Sequence, residues 1–293
     1  MSRSAWDGYW GKGARGCLPD ADPRFGRALE QLWRDFATGL PRGAKLLDLA
    51  TGSGAVVRTI AAGGARLDLI GVDSAGTLPP APAGIRLKAG VAMEKLPFGD
   101  RRFDALTSQF GIEYGDVARI AGEAARVLKP GGAVRFVVHR AEGPIVAHNL
   151  ARRDALRWAR HESGALERAR KLAEARRAAR LPTPPSFRAA PDEALRRFGG
   201  QGAAAEFMAA ILQTLDMGAS RPPAETLEVL AELERRADGE IGRLDALAAA
   251  ARDAAAIRAM TGILRDAGFD MRDPAPVAAG AEAFAWLLDG TRG

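Results

Sequence analysis

"KLLDLATGSGAVVR", residues 45–58, passes from an apolar stretch through a Gly-Ser-Gly turn into the opening of a helix. Leu46, Leu47 and Leu49 predict a buried strand, and Gly52 and Gly54 let backbone approach a ligand with no Cβ in the way. A dinucleotide fingerprint needs a third glycine where Val57 stands, for close helix-to-strand packing and room for a pyrophosphate. Asp48, four residues before the first glycine, is a poor neighbour for a pyrophosphate and a reasonable one for a cationic ligand. A lone G-x-G occurs in many folds, so the elements around it have to decide.

Outward from the turn, "AVVRTIAAGG" predicts a helix ended by Gly63 and Gly64, and "LDLIGVDSAG" a second strand ending at Asp73. An acid at the carboxyl end of such a strand can accept both hydroxyl protons of a ribose, as nucleoside-containing cofactors require. "GIRLKAG" reads as a third strand and residues 103–108 as a fourth, followed by a loop from Gln109 to Gly115. A helix over 116–128 stops at "KPGG", and "AVRFVVH" is a fifth strand. Strands alternating with helices predict right-handed crossovers, a mainly parallel sheet, and ligands at the strands' carboxyl ends.

From residue 141 the alternation ends, and about a hundred residues rich in Ala, Leu, Arg and Glu predict a helical insertion. "LPTPPSFRAAP" at 181–191 and "SRPP" at 220–223 are expected to break it into three helical pieces. The sheet then resumes, with a helix over 253–267 capped by Gly268, a strand near 269–277 and a last strand in "AFAWLLDG".

Composition bounds the partners. The chain has 293 residues, 47% of them hydrophobic, enough for a full core. No apolar run approaches the roughly 20 residues of a membrane span, and "MSRSAWDGYWGKG" lacks a signal peptide's apolar core, so a cytoplasmic protein is expected. One cysteine, Cys17, and three scattered histidines make a metal site unexpected. The net charge is +6, and residues 141–190 alone hold eleven Arg or Lys against five Asp or Glu. Base-stacking aromatics are not interleaved there, which argues for a solvated basic helix face and against a nucleic-acid partner.

In four places the chain resembles the class I S-adenosylmethionine-dependent methyltransferases. "LLDLATGSG" looks like their first motif and "GVDSAG" like their acidic second-strand motif. "MEKLPFGDRRFDALTSQFG" and "VLKPGG" are similar to segments of the ubiquinone/menaquinone methyltransferase branch. The resemblance covers about 43–139 and, more loosely, 253–290. It implies a Rossmann-like seven-stranded sheet with a large helical insertion after the fifth strand. The implied organisation is an N-terminal segment or lid (1–40), a cofactor-binding core (41–140), the insertion as acceptor cover (141–250), and the last helix and strands (251–293).

The implied cofactor is S-adenosylmethionine, which carries no phosphate. Its methionine portion would lie along Ala50, Gly52, Ser53 and Gly54, with Asp48 near the amino group and sulfonium. Asp73 with Ser74 would hold the ribose, Ala92 and Met93 the adenine, and Ser108 and Gln109 would complete the site. Family members often carry an acid where this chain has Ala92, so adenine recognition would rest on backbone or another side chain. Ser108-Gln109-Phe110-Gly111 is not the Asn-Pro-Pro-aromatic stretch of amino-methylating nucleic-acid enzymes, and no Pro-Cys nucleophile is present.

These absences favour a small organic acceptor, with O-, C- or N-methylation open. Candidate catalytic residues are His139, at the end of the fifth strand and able to deprotonate a hydroxyl near neutral pH, and Glu113 and Tyr114 after the fourth. Trp6, Tyr9 and Trp10 share a helical face and would serve packing or a lid. Arg153, Arg157 and Arg160 share another face, open to solvent or to an anionic acceptor. Phe198, Phe207, Met208, Ile211 and Leu212 offer apolar surface for an acceptor pocket or a homodimer interface. Two rival readings are an RNA or protein methyltransferase docking through the basic insertion, and a non-catalytic cofactor-binding protein of the same fold.

Overall fold

The structure, a computed structural model, describes residues 23–199 and 202–293. Trp6, Tyr9, Trp10 and Cys17 lie outside the described residues. Two compact units divide the chain: residues up to Ala147 together with Ala246–Gly293, and His148–Asp245.

The first unit is built on the strand that opens the sequence argument. β1 (Lys45–Leu49) is flanked by β2 (Asp68–Val72) and β4 (Phe103–Gln109), both parallel to it. β3 (Ile85–Lys88) and β5 (Leu128–His139) extend the parallel set on either side. β8 (Glu282–Arg292) runs antiparallel to β5, and the order is β3-β2-β1-β4-β5-β8-β6. Alternation of side chains sends Leu46 to one face and Leu47 and Leu49 to the other. On the first face pack α1 (Pro23–Thr38) and α2 (Ala55–Ala62); on the second pack α3 (Val117–Val127) and α9 (Ala254–Asp266).

Caps fix where these helices start. The Asp116 carboxylate accepts from the Arg119 N–H, and Asp253 from Ala255 and Ala256, satisfying donors that have no partner inside the helix. In α1 the apolar residues recur at helical spacing, and Phe25, Leu29, Trp33 and Phe36 are all buried.

Three local expectations change. The single strand near 269–277 is two, β6 (Phe269–Met271) and β7 (Ala275–Ala279), which pair with successive parts of β8. Seven strands thus lie along the sheet, with β7 as an eighth beside β8. "KPGG" lies within β5: Leu128 pairs with Phe103 and Ala133 with Ala105, so the extra residues bulge out, Gly131 taking φ 74°.

The third change falls in the second unit. Its helices are α4 (Pro144–Arg157, begun in the first unit), α5 (Ala165–Ala175), α6 (Pro185–Phe198), α7 (Ala203–Met217) and α8 (Pro223–Ala250, ending in the first unit). The proline-rich stretch breaks the helical run at 181–184, as expected, but its second half opens α6. Pro185 occupies the first turn, where no intrahelical N–H partner is lost, and Pro191 is carried inside the helix. Phe207, Met208 and Ile211 are buried within this unit's own core, with Phe198 and Leu212 packed against it. They do not form the apolar surface expected of them, because the alanine-rich helices approach closely enough to enclose them.

The arginine row is paired with acids, with Arg157 exposed and Arg153 and Arg160 half-buried. Arg157 donates to Asp245 at 2.6 Å and 2.8 Å, Arg153 lies 2.8 Å from Asp154 and 3.5 Å from Asp245, and Arg160 bonds Glu234 and lies 2.9 Å from Asp238. Acids of α8 stand opposite these bases, a pairing that only the fold brings about.

Candidate active site

The candidate cofactor and catalytic residues lie at or just after the carboxyl ends of β1, β2, β4 and β5 and in the loop after β3. After β1 the backbone turns left-handed at Ala50 (φ 50°), Gly52 (φ 51°) and Gly54 (φ 77°) before α2 begins. For glycine this conformation is free of Cβ strain; at Ala50 it costs about 1 kcal/mol or more, and such outliers gather at functional sites. The Arg58 side chain clamps the turn, donating to the Ser53 carbonyl at 2.8 Å and to the Pro80 carbonyl at 2.6 Å.

Asp73, just past β2, accepts from the Gly52 N–H at 2.9 Å and from the Ala75 N–H at 2.9 Å. The acid is therefore tied directly to the glycine turn. Val91 donates to the Asp73 carbonyl at 2.8 Å, which brings the Val91–Met93 backbone alongside; Ala92 and Met93 are half-buried and Ser74 is exposed.

Asp48 sits deeper. Its Oδ2 accepts from the Thr51 hydroxyl at 2.7 Å and its Oδ1 from the Thr107 hydroxyl at 2.8 Å. Burial pushes its carboxyl up to about 7; the two hydroxyls pull the other way, and the nearby charge of Asp73 adds to the rise. Both oxygens thus face protein hydroxyls. Two other expected ligands also have protein partners: Ser108 donates to the Leu49 carbonyl at 2.9 Å, and the Gln109 carbonyl accepts from the Trp33 indole at 2.6 Å.

The three candidate catalytic residues come together. His139 Nδ1 lies 2.8 Å from Glu113 Oε1, which also accepts from the His139 backbone N–H at 3.0 Å. The imidazole stacks on Phe110 with centroids 4.2 Å apart and meets the edge of Tyr114 at 5.9 Å. Arg252 donates to the Glu113 carbonyl at 2.9 Å, and its backbone N–H donates to the His139 carbonyl at 2.9 Å. Thr51, Thr107, Phe110 and Arg252 are the residues the sequence reading missed. Phe110 and Thr51 lie inside the motifs quoted above, whereas nothing local marks Arg252.

Residues 47–136 match the family described as "Methyltransferase domain". They form a methyltransferase domain. Its class is the S-adenosylmethionine-dependent one. Demethylmenaquinone methyltransferase of Thermotoga maritima is 41% identical over 93 residues, 30% of this chain and 40% of the relative. Ubiquinone/menaquinone biosynthesis C-methyltransferase of Geotalea uraniireducens is 35% identical over 118 residues, 36% of this chain and 50% of the relative. The chain thus spans half or less of the length of these curated relatives. Among solved structures, 1,6-didemethyltoxoflavin-N1-methyltransferase of Burkholderia thailandensis is 13% identical, with a TM-score of 0.48 over 99% of this chain and 86% of that one.

The methyltransferase domain fits its cofactor in chemistry. Positive-φ glycines open the backbone before the N-terminus of α2, whose first-turn N–H groups favour a carboxylate, and a buried acid tied to that turn suits paired hydroxyls. Among the described residues, no helix is long and apolar enough to cross a membrane.

Proposed function

We propose that this chain transfers a methyl group from S-adenosylmethionine to a small organic acceptor. The observation that carries the reading is the tie from Gly52 to Asp73, which joins the glycine turn and the strand-end acid into one recognition surface. Gly52, Ser53 and Gly54 would hold the methionine carboxylate, Asp73 the ribose hydroxyls, and the Val91–Met93 backbone the adenine. The cofactor supplies an electrophilic methyl on a sulfonium; the chain's part is to align an acceptor with it and exclude water.

A small acceptor is favoured over a polyanion because Arg157 and Arg160 are bonded to Asp245 and Glu234 and so do not form a row open to phosphates. The curated relatives are named for menaquinone and ubiquinone biosynthesis, which supports an acceptor of that size.

Calorimetry tests the cofactor reading. S-adenosylmethionine or its demethylated product should bind at micromolar levels, and NAD negligibly. Asp73→Ala should weaken binding more than tenfold, a loss of about 1.5 to 3 kcal/mol for charge-assisted hydrogen bonds. NAD binding equal to or stronger than that of S-adenosylmethionine would sink the reading.

A further inference from the structure

Within the first unit, two buried polar atoms lack a hydrogen-bond partner while belonging to side chains that bond each other: His139 Nε2 and Glu113 Oε2. The residues are 1% and 2% exposed. A buried polar atom without a partner is costly, and a protein that keeps one on each member of a bonded pair calls for an explanation. Glu113 explains the ring's orientation. Its Oε1 faces Nδ1 and also receives the His139 main-chain N–H, so Nδ1 carries the proton and Nε2 presents a lone pair. Phe110, itself left-handed at φ 56°, stacks on the ring and fixes its plane.

The loop that carries Glu113 abuts the glycine turn. A Cβ on Gly111, two residues before Glu113, would lie 2.5 Å from the Ala50 Cβ and 2.8 Å from the Ser108 Oγ. The pair therefore belongs to the same strand ends as the cofactor surface, one strand over.

We propose that His139 is the base that takes a proton from the acceptor, that Glu113 is the residue that positions it, and that the acceptor accordingly presents an ionisable hydroxyl of the phenol or enol class. Nε2 and Oε2 both accept hydrogen bonds, so they select a group that donates one. The acceptor's O–H bond breaks with its proton passing to Nε2, the oxygen's electron pair forms the bond to the methyl carbon, and the pair of the broken carbon–sulfur bond stays on sulfur. Glu113 stabilises the imidazolium that results, and Tyr114 closes the ring's edge.

This inference rests on the proposed methyl transfer, so the test separates the two. The full chain is assayed with S-adenosylmethionine and simple hydroxyl probes, 1-naphthol and 2-naphthol, beside their O-methyl ethers as blanks; binding of the demethylated cofactor is followed by calorimetry, and folding by circular dichroism. The hydroxyl probes should be methylated, and their O-methyl ethers should not. His139→Asn should cut kcat at least a hundredfold, and Glu113→Gln tenfold or more with a displaced pH profile, while cofactor affinity stays within a few-fold. Nitrogen NMR of the wild-type ring, assigned against His139→Asn among only three histidines, should show the proton on Nδ1. A proton on Nε2, a pH profile unmoved by Glu113→Gln, or no transfer to either hydroxyl probe with the cofactor bound would overturn the proposal. Absence of cofactor binding in the wild type would overturn the proposed function instead.

Discussion

Asp48 holds its proton far more tightly folded than unfolded, because burial withdraws the water that would solvate its charge. Its carboxyl rises from 3.8 to about 7, so its contribution to stability is fully present below about pH 4 and is lost as pH rises to about 7. The shift corresponds to at most about 4 kcal/mol at 1.36 kcal/mol per pH unit. Asn at this position keeps the shape and an acceptor for Thr107 without the charge. Asp48→Asn should therefore flatten the fall in unfolding free energy between pH 4 and 7, measured by urea titration at stepped pH. A slope unchanged from wild type would mean that Asp48 is solvated in the folded state. None of this burial could be read from the sequence, which gave the residue's type and its strand but not the two threonine hydroxyls that enclose it.

At the scale of elements, two contacts hold the turn that carries the proposed chemistry. One is α1, whose Trp33 is 1% exposed and donates to Gln109 at the end of β4. Trp33→Phe should cost about 1 kcal/mol for the lost hydrogen bond, and Trp33→Ala about 3 to 5 kcal/mol for the cavity, by chemical denaturation. Equal losses in the two variants would show that packing contributes nothing there. The other is the approach of β2 to the glycine turn at Gly71, where a Cβ would run into the Thr51 side chain and come within 2.8 Å of Leu87. Gly71→Ala should destabilise by about 1 to 3 kcal/mol and weaken cofactor binding as well, since Thr51 is the residue that bonds Asp48. Cofactor binding unaffected by a destabilising Gly71→Ala would separate the turn from the site. The elements themselves were legible: the alternation of Leu46 against Leu47 and Leu49 marks β1, and Gly268 marks the end of α9. The split of β6 from β7 and the helix started by Pro185 were not, because each depends on what β8 and the neighbouring helices offer as partners.

For the whole molecule, the two units should answer differently to acid. In the helical unit, burial pushes the Glu234 carboxyl up, but its bonds and charge interactions with Arg170 and Arg160 prevail and lower it. Stability from such a group is present above its unfolded value of 4.5 and disappears as pH falls through the folded one. The helical unit should thus lose stability as pH falls below 4.5, while the Asp48 contribution favours the sheet unit in acid. Glu234→Gln should lower the helical unit's transition by about 1 kcal/mol in scanning calorimetry, a modest figure because the pairs are partly exposed to solvent, and leave cofactor affinity unchanged. A single transition that shifts together with cofactor affinity would contradict separable units.

What the sequence determined by itself was everything that rests on short-range chemistry. The two-residue period of β1, the glycines that permit positive φ at 52 and 54, the acid closing β2 and the helix caps are set by residues a few places apart, so they survive without knowledge of the fold. Glu113 and His139 could each be named from their positions at strand ends. That they form one hydrogen-bonded pair follows only from β4 and β5 lying side by side, and that Arg252 bonds Glu113 from 139 residues away follows only from the chain returning to β5. The pairing of arginines with acids of α8 belongs here too, since charge complementarity over such separations is a property of packed helices. Tertiary structure decides these contacts because the free energy of joining two distant groups comes from the core that brings their elements together, not from the groups themselves.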